Sequence, residues 1–360
     1  MRLGLVIYGD LELVTGGFIY DKFMVEYLRR QGDEVEVITL PWQPYVLGLC
    51  HNFAPDLARR LRQARFDALI QDELTHPSLF WRNQRLRRQV AYPIISLVHL
   101  LRSTEARPPW QLLLYRRIEG RYLCSVDGYL CISRHTQEMV ESLAGAGKPS
   151  AIAYPAGDRL GGLTAEEITA KVLAPGPRQI LYLGAVIPRK GLDVLLQALA
   201  PLQEAAWQLT VAGSLSTDPA FARKIFRLIS RLGLSQRIRL PGVLQGEDLI
   251  DCLRRSHILA VPSLLEGLAL VYLEGMYYGL VPLAAALGAT GEVITHGQDG
   301  FLIPPRDVPT LQKALKTLLA DDQRLLAMSL AARERIGRHP TWAETGATIR
   351  QFLLQLTGRS

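Results

Sequence analysis

The sequence predicts an α/β protein with two doubly wound, Rossmann-like domains in series, each a parallel sheet covered by helices on both faces. Short apolar runs alternate with longer amphipathic stretches along almost all of the 360 residues. The alternation weakens between Gly157 and Arg178, where Gly161-Gly162 and Pro175-Gly176-Pro177 suggest a hinge, and then restarts. A chain of this length suffices for two domains, and alternating strands and helices favour parallel sheets.

The strands of both domains are predicted from the apolar runs, with helices between them. Those of the first domain are Leu3–Ile7, Val35–Thr39, Ala68–Ile70, Ile94–Val98 and Tyr129–Ile132. Those of the second are Ile180–Leu183, Gln208–Ala212, Ile238–Leu240, Ile258–Val261 and Val281–Ala284. The first long helix is predicted from Phe18 to Gln31 and stops at Gly32. Because ligands of such sheets bind beyond the carboxyl ends of the strands, the expected site is a cleft between two facing domains.

The composition, with 48% hydrophobic and 21% charged residues, is that of a soluble globular protein. Leu3–Ile7 is too short for the core of a signal peptide, and no unbroken apolar stretch reaches the roughly 18 residues of a spanning helix. We therefore expect a cytoplasmic protein, with peripheral contact at the cytoplasmic face of a membrane as an open alternative.

Positive charge is concentrated between Leu57 and Arg121, where thirteen basic and five acidic residues give a net charge of +8. The default interpretation is a set of solvated helix faces. The alternative is an anionic membrane surface, because Trp81 and the run from Trp110 to Tyr115 place aromatic and apolar side chains beside the cations. No recognition motif accompanies the charge, so nucleic acid is not an expected partner.

The cysteines do not indicate a metal site. Cys50, Cys124, Cys131 and Cys252 are scattered and form no C-x-x-C pair, so we expect buried, reduced thiols.

The strongest chemical signal is the segment that follows the predicted strand Ile258–Val261. It places Glu266 at the turn from strand to helix and Glu274 about two helical turns further on. Ionised carboxylates accept bidentate hydrogen bonds from vicinal hydroxyls, such as those of a ribose or a hexose. The free backbone N–H groups of the helix start suit an anion.

A cationic turn follows the predicted strand Ile180–Leu183. The strand ends at Gly184, the loop carries Arg189 and Lys190, and a helix opens after Gly191. Two cations beside a helix N-terminus are able to neutralise a diphosphate leaving group. A solvated basic turn is the alternative, and the order of strand, cationic turn and helix favours phosphate binding.

Paired glycines, Gly16 and Gly17, open the first long helix and would let backbone amides approach an anion closely. A simple helix-start turn is equally compatible with them. The third glycine of G-x-G-x-x-G is absent, which argues against a dinucleotide-binding oxidoreductase.

Together these residues resemble the retaining GT-B glycosyltransferases of group 1, which include bacterial mannosyl- and glucosyltransferases and sucrose-phosphate synthase. The family hallmark is two glutamates separated by seven residues, and Glu266 and Glu274 match it. The resemblance covers nearly the whole chain, strongly in the second domain and diffusely in the first. Further matching positions are Gly16-Gly17, Arg189-Lys190-Gly191, Pro262-Ser263, Gly291-Glu292 and Gly300–Pro304.

The resemblance implies a role for each matched residue. Arg189 and Lys190 would hold the donor diphosphate and stabilise its developing charge. Glu274 would bind the ribose hydroxyls, and Glu266 the transferred sugar. The remaining implied positions are Gly16 and Gly17 near the phosphates, His99 near the reacting centre, Ser263, Gly267 and Leu268 around the donor pocket, and Gly184, Gly213 and Val243 on the nucleotide side.

The resemblance also implies the organisation of the chain. Residues 1–165 would form an acceptor-side domain and residues 166–340 a nucleotide-sugar-binding domain. Residues 341–360 would form a last helix that crosses back onto the first domain. Three departures leave the donor open. Ala269 stands where many relatives have glycine, and Gly275 follows the second glutamate where alanine is common. The run Gly288-Ala289-Thr290-Gly291 also differs from a simple glycine pair.

The implied activity is transfer of a hexose from a UDP- or GDP-linked sugar to a hydroxyl acceptor, with retention of anomeric configuration. No Asp-x-Asp triplet is present, and cations with helix N-termini supply the same electrostatic stabilisation, so no metal or other cofactor is expected. The acceptor, whether a sugar, a lipid-linked group or a small metabolite, is left open. The alternatives are a related GT-B epimerase or phosphorylase, and a non-catalytic module that binds a sugar nucleotide.

Overall fold

The structure, a computed structural model, describes residues 1–13, 15–104, 107–264, 268 and 270–359. The chain divides into two compact units. The first contains residues 1–155 and 340–360, and the second contains residues 156–339. The sequence predicts the same two boundaries after residue 165 and after residue 340.

In the described part of the first unit, six parallel strands form one sheet in the order β2-β1-β3-β4-β5-β6. The strands are β1 (Arg2–Tyr8), β2 (Glu34–Leu40), β3 (Ala68–Asp72), β4 (Ile94–Val98), β5 (Gly128–Cys131) and β6 (Ser150–Ile152). The helices between them are α1 (Gly16–Arg30), α2 (Tyr45–Cys50), α3 (Pro55–Gln63), α4 (His76–Leu86), α5 (Pro109–Ser125) and α6 (Arg134–Ala144). Every residue of β3 and β4 is buried, because helices cover both faces of the sheet.

The second unit repeats this architecture. Its described strands form a six-stranded parallel sheet in the order β12-β11-β10-β7-β8-β9. They are β7 (Arg178–Leu183), β8 (Trp207–Ala212), β9 (Ile238–Gly242), β10 (Ile258–Val261), β11 (Val281–Ala285) and β12 (Phe301–Ile303). The helices are α7 (Ala165–Leu173), α8 (Leu192–Leu199), α9 (Pro219–Arg231), α10 (Gly246–Arg255), α11 (Leu270–Tyr277), α12 (Thr290–Val293), α13 (Val308–Ala320) and α14 (Asp322–Gly337).

The last helix, α15 (Trp342–Thr357), belongs to the first unit. Thr341 and Glu344 form a capping box, in which each side chain accepts a hydrogen bond from the other residue's backbone N–H at the helix start. The Trp342 ring stacks on Phe23 of α1 with centroids 4.5 Å apart. A Cβ atom at Gly346 would lie 2.2 Å from the Tyr27 ring, so only glycine allows this approach. The last helix therefore packs on α1 of the first unit.

The segment predicted as a hinge, from Gly157 to Arg178, contains helix α7. A capping box of Thr164 and Glu167 starts this helix, and only Ile168 and Val172 of its residues are buried. Two buried positions in nine residues leave a weak apolar period in the sequence, which explains why the helix was not predicted.

Surface features differ from the sequence expectations in two respects. Cys131 is buried as expected, but Cys50 and Cys124 are free thiols at the surface. Arg82, counted above in the basic stretch, is buried, and its Nη2 donates to the carbonyl oxygens of His51 and Ala54 at 2.6 and 2.8 Å. Its charge therefore does not contribute to an exposed cationic surface. Among the described residues, no helix has the length and apolarity needed to cross a membrane.

Candidate functional site

The cationic turn of the second unit is fixed by a glycine. Pro188–Lys190 form one turn of 3-10 helix, Gly191 follows with φ of 70°, and α8 begins at the next residue. A Cβ atom at Gly191 would lie 2.2 Å from the carbonyl oxygen of Pro262. Both the left-handed backbone and this contact require glycine, so the turn is held against the segment that follows β10.

A backbone hydrogen bond joins the same two segments. The N–H of Leu264 donates to the carbonyl oxygen of Arg189 at 2.7 Å. Both cationic side chains are partly buried, and the Cε of Lys190 lies 3.6 Å from where a Cβ of Gly184 would be. The structure therefore places the cationic turn beside the first part of the motif that contains the two glutamates.

That motif is described in part. Glu266 and Gly267 lie outside the described residues, as does Ala269. Ser263 and Leu268 are buried. The Oγ of Ser263 has no hydrogen-bond partner in the described part of the chain, which leaves a donor and acceptor available at this turn.

Glu274 is buried in α11 and is paired with a cation. Its Oε1 accepts a hydrogen bond of 2.5 Å from Nε of Arg159. Burial raises the pKa of the Glu274 carboxyl, and the positive charge and hydrogen bond of Arg159 oppose that rise. Arg159 thus favours the ionised carboxylate, the form that accepts hydrogen bonds from two vicinal hydroxyls.

Two glycines place Arg159 against α11. A Cβ at Gly157 would lie 2.5 Å from the carbonyl carbon of Leu273, and one at Gly162 would lie 2.6 Å from the carbonyl oxygen of Tyr277. Residues 157–162 therefore lie directly on the helix backbone, at positions one helical turn apart. Sequence reasoning missed Arg159, and the glycines interpreted as hinge residues were the available signal.

The other predicted residues of this unit collect at the carboxyl ends of neighbouring strands. Gly184 follows β7, Gly213 follows β8 and Val243 follows β9. The N–H of Gly213 donates to the carbonyl oxygen of Gly242 at 2.7 Å. A Cβ at Gly213 would lie 1.9 Å from the carbonyl oxygen of Gly184, so the ends of β7 and β8 are in backbone contact. Ligands of parallel sheets bind at this edge.

In the first unit, Gly16 and Gly17 begin α1, directly after the loop that follows β1. His99 follows β4. The structure brings them together, because a Cβ at Gly17 would lie 3.6 Å from Cδ2 of His99. The strands β1 and β4 both pair with β3, so their carboxyl ends are close.

His99 is held by a buried carboxylate that sequence reasoning also missed. Its Nε2 lies 3.1 Å from Oδ1 of Asp21, a fully buried residue of α1. Burial alone would lower the pKa of His99, but the charge and hydrogen bond of Asp21 outweigh it and raise this pKa to about 9. Asp72, at the end of β3, has its pKa raised to about 8 by burial and by Asp21. A charged imidazolium therefore lies beside the start of α1 at neutral pH.

Among the described residues, two groups place possible ligand atoms for a metal within 4.8 Å of one another: Asp21, Asp72 and His99, and Glu73, His76 and Glu119. In the second group, burial lowers the pKa of His76 to about 4 and raises that of Glu119 to about 7. The Glu119 carboxylate accepts from the N–H groups of Arg102 and Ser103 at 2.6 and 3.0 Å. These two backbone N–H groups provide hydrogen bonds to the Glu119 carboxylate without a metal ion.

Comparison with known proteins finds a family match in the second unit. Residues 164–335 match the family model described as glycosyl transferases group 1. This part of the chain is therefore similar to the glycosyl transferases group 1. The matched residues span most of the second unit and include the cationic turn and Glu274. Arg159 lies in the same unit, before the first matched residue.

The D-inositol 3-phosphate glycosyltransferase of Xylanimonas cellulosilytica is 34% identical over 183 residues, which is 50% of this chain and 43% of that protein. The chain spans about half the length of the curated relatives it matches. Sucrose-phosphate synthase from Thermosynechococcus elongatus superposes with a TM-score of 0.85 at 20% identity over 100% of both chains. HepE of Anabaena, solved with UDP and glucose, superposes with a TM-score of 0.78 at 18% identity over 99% of this chain and 100% of its own.

The structural likenesses confirm the predicted fold. The first and second units each form a parallel six-stranded sheet with flanking helices in the described residues, as in these solved structures. The chain therefore has the α/β, GT-B architecture.

Proposed function

We propose that this chain is a retaining glycosyltransferase that moves a hexose from a UDP- or GDP-linked sugar to a hydroxyl acceptor without a bound metal. The observation that carries the proposal is the hydrogen bond between Leu264 N–H and the carbonyl oxygen of Arg189. It sets the cationic turn beside the segment that leads into the helix of Glu274.

The cationic turn would bind the diphosphate of the donor. Arg189 and Lys190 carry the charges, and the N-terminus of α8 directly follows at Leu192. Both the side chains and the helix dipole favour negative charge. Since charge grows on the diphosphate as it leaves, fixed cations here stabilise the transition state more than the ground state.

Glu274 would bind the ribose hydroxyls of the nucleotide. Its burial in α11 makes an uncompensated charge costly, and the ion pair with Arg159 reduces that cost. Glu266 would contact the transferred sugar. His99 and the two glycines at the start of α1, all in the first unit, would contribute at the sugar and the phosphates.

The proposed reaction is a front-face displacement. The bond between the anomeric carbon and the diphosphate oxygen breaks, and the acceptor oxygen bonds to that carbon from the same face. The acceptor proton passes to an oxygen of the leaving diphosphate. Double displacement would require a carboxylate close under the anomeric carbon, and no described residue is assigned to that position.

The relatives indicate which classes of donor and acceptor to test, but not the individual compounds. The HepE structure contains UDP and glucose, which supports a UDP-sugar as the first donor to test. The Xylanimonas relative is named for an inositol phosphate acceptor, so phosphorylated polyols belong in the acceptor panel beside sugars and lipid-linked alcohols.

The decisive experiment is a melting-temperature screen against nucleoside diphosphates and nucleotide sugars, followed by transfer assays with the stabilising donor in EDTA. We expect one nucleotide class to raise the Tm and transfer to persist with chelator. Loss of transfer in EDTA, restored by a divalent cation, would contradict metal independence. Stabilisation by UDP or GDP without transfer to any acceptor would support the binding-module alternative.

A further inference from the structure

A cavity of about 670 Å³ opens on the first unit at the C-terminal ends of α4 and α5. Its walls are dominated by one residue type. The lining arginines are Arg87, Arg88, Arg116, Arg117 and Arg121. None of the residues assigned above to the proposed glycosyl transfer lines this cavity.

The positive charge of the cavity is poorly compensated. No Asp or Glu is among the described residues that line it. Arg87 pairs with Asp127 at 2.6 Å. In the described part of the chain, the other four arginines form no ion pair. Like charges gathered around one cavity repel, and a bound anion would replace that repulsion by attraction.

Helix geometry explains why the arginines converge. Arg117 and Arg121 are four residues apart on α5 and so share a face. On the opposite face Glu119 and Tyr122 are buried, which fixes the rotation of the helix. Gly120, between the two arginines in the sequence, also lines the cavity.

From this arrangement we infer that the arginine cavity is a binding site for a phosphate group, which it contacts through more than one phosphate oxygen. Guanidinium groups bind phosphate oxygens in bidentate pairs, and an exposed, convergent set fits more than one oxygen at once. The ligand is either the headgroup of an anionic lipid or a soluble oligophosphate. The inference does not depend on the proposed donor site.

The surroundings of the cavity favour the lipid source. Trp110, Leu113 and Leu114 are exposed on the first turns of α5, and Trp81 is exposed on α4 with the Arg85 guanidinium 5.1 Å from its ring. Apolar and aromatic side chains beside a cationic site are the combination that binds an anionic membrane surface.

The test compares two triple variants of equal charge change. R116Q/R117Q/R121Q removes three cavity arginines. R223Q/R227Q/R231Q removes three exposed arginines from α9 in the second unit. Because removal of mutual repulsion does not weaken packing, we expect the cavity variant to melt no lower than the control. Should the triple variant fail to fold, the single variants R117Q and R121Q replace it.

Two probes distinguish the sources. Inorganic pyrophosphate is titrated calorimetrically in an R189Q/K190Q background, which removes the proposed diphosphate site of the second unit. Flotation measures binding to phosphatidylcholine vesicles with and without phosphatidylglycerol. We expect the cavity variant to lose about tenfold or more in affinity for at least one probe, and the control variant to lose less than about twofold.

The pattern of losses decides the outcome. A loss confined to the anionic vesicles supports the lipid headgroup, and a loss for pyrophosphate supports a soluble phosphate. If the cavity and control variants bind both probes equally, the inferred site is wrong. Neither result alters the donor assay, so the glycosyltransferase proposal is judged separately.

Discussion

Arg159 donates from Nε to Oε1 of Glu274 within the second unit, although 115 positions separate the two residues in the sequence. The arginine lies just after the boundary of that unit, at Pro155–Ala156, and the glutamate is buried in α11. The carboxylate proposed to bind the donor ribose is thus fixed by the segment with which its own unit begins.

Removal of Arg159 should destabilise the second unit. R159A leaves the buried Glu274 without a counter-charge, and we expect the free energy of unfolding at pH 7 to fall by about 2–3 kcal/mol. Because burial raises the pKa of Glu274 above its ordinary 4.5, the deficit should be small in acid and grow as the pH rises above that value. Chemical denaturation at several pH values measures it.

The matched control is R159A in an E274Q background. With no buried charge to compensate, the loss there should be about 1 kcal/mol, the value of a lost hydrogen bond. Equal losses in both backgrounds would show that the ion pair contributes nothing specific.

The cationic turn should act on the rate of transfer. We expect R189A and K190A each to lower kcat about 10²- to 10³-fold, as for removal of one group that stabilises developing charge. R223A, an exposed arginine of α9, should leave kcat unchanged. Single-turnover assays with EDTA measure the effect. If transfer survives both substitutions at full rate, Arg189 and Lys190 are not at the donor diphosphate.

Gly157 should not accept a side chain. In G157A the new methyl would lie 2.5 Å from a backbone carbon of α11, which cannot move aside as a side chain would. We expect a loss of about 1–3 kcal/mol in stability and a raised KM for the donor, because Arg159 lies two residues on. G337A is the control, since the nearest atom there is a flexible arginine tip 3.5 Å away. Thermal melts that fail to separate the two variants would contradict the close contact.

His99 should remain protonated well above neutral pH. Its pKa of about 9 exceeds the ordinary 6.5, so the stabilisation from its pair with Asp21 is fully present below pH 6.5. It is lost as the pH rises through about 9. NMR titration of the imidazole signals, assigned with H99Q, measures this pKa. D21N should lower it, whereas D10N, at an exposed position, should not.

The apolar runs predicted the fold because buried parallel strands are apolar throughout. The run Ile258–Val261 and β10 coincide, and Leu3–Ile7 falls one residue short of β1 at each end. The three-residue strands β6 and β12 were missed, since so few residues establish no period. Gly184, Gly213 and Val243, which were predicted for the donor site, follow strands, and strand ends meet at one edge of a parallel sheet.

The charged partners of the site were beyond sequence reasoning. Arg159 and Asp21 are single polar residues whose partners, Glu274 and His99, lie far along the chain. No spacing rule links such pairs, because their proximity depends on how helices pack on the sheets. The exposure of a charged residue was also predicted wrongly in one case. Arg82 belongs to a basic stretch that the sequence places at the surface, but it is buried in the structure.

The stacking of Trp342 on Phe23 has a consequence for biosynthesis. The second unit is continuous, so its core has all of its residues once position 339 has left the ribosome. The first unit, although synthesised earlier, keeps the Phe23 and Tyr27 side of α1 uncovered until α15 emerges. The order of maturation is therefore expected to run against the order of synthesis, with the N-terminal half completed last.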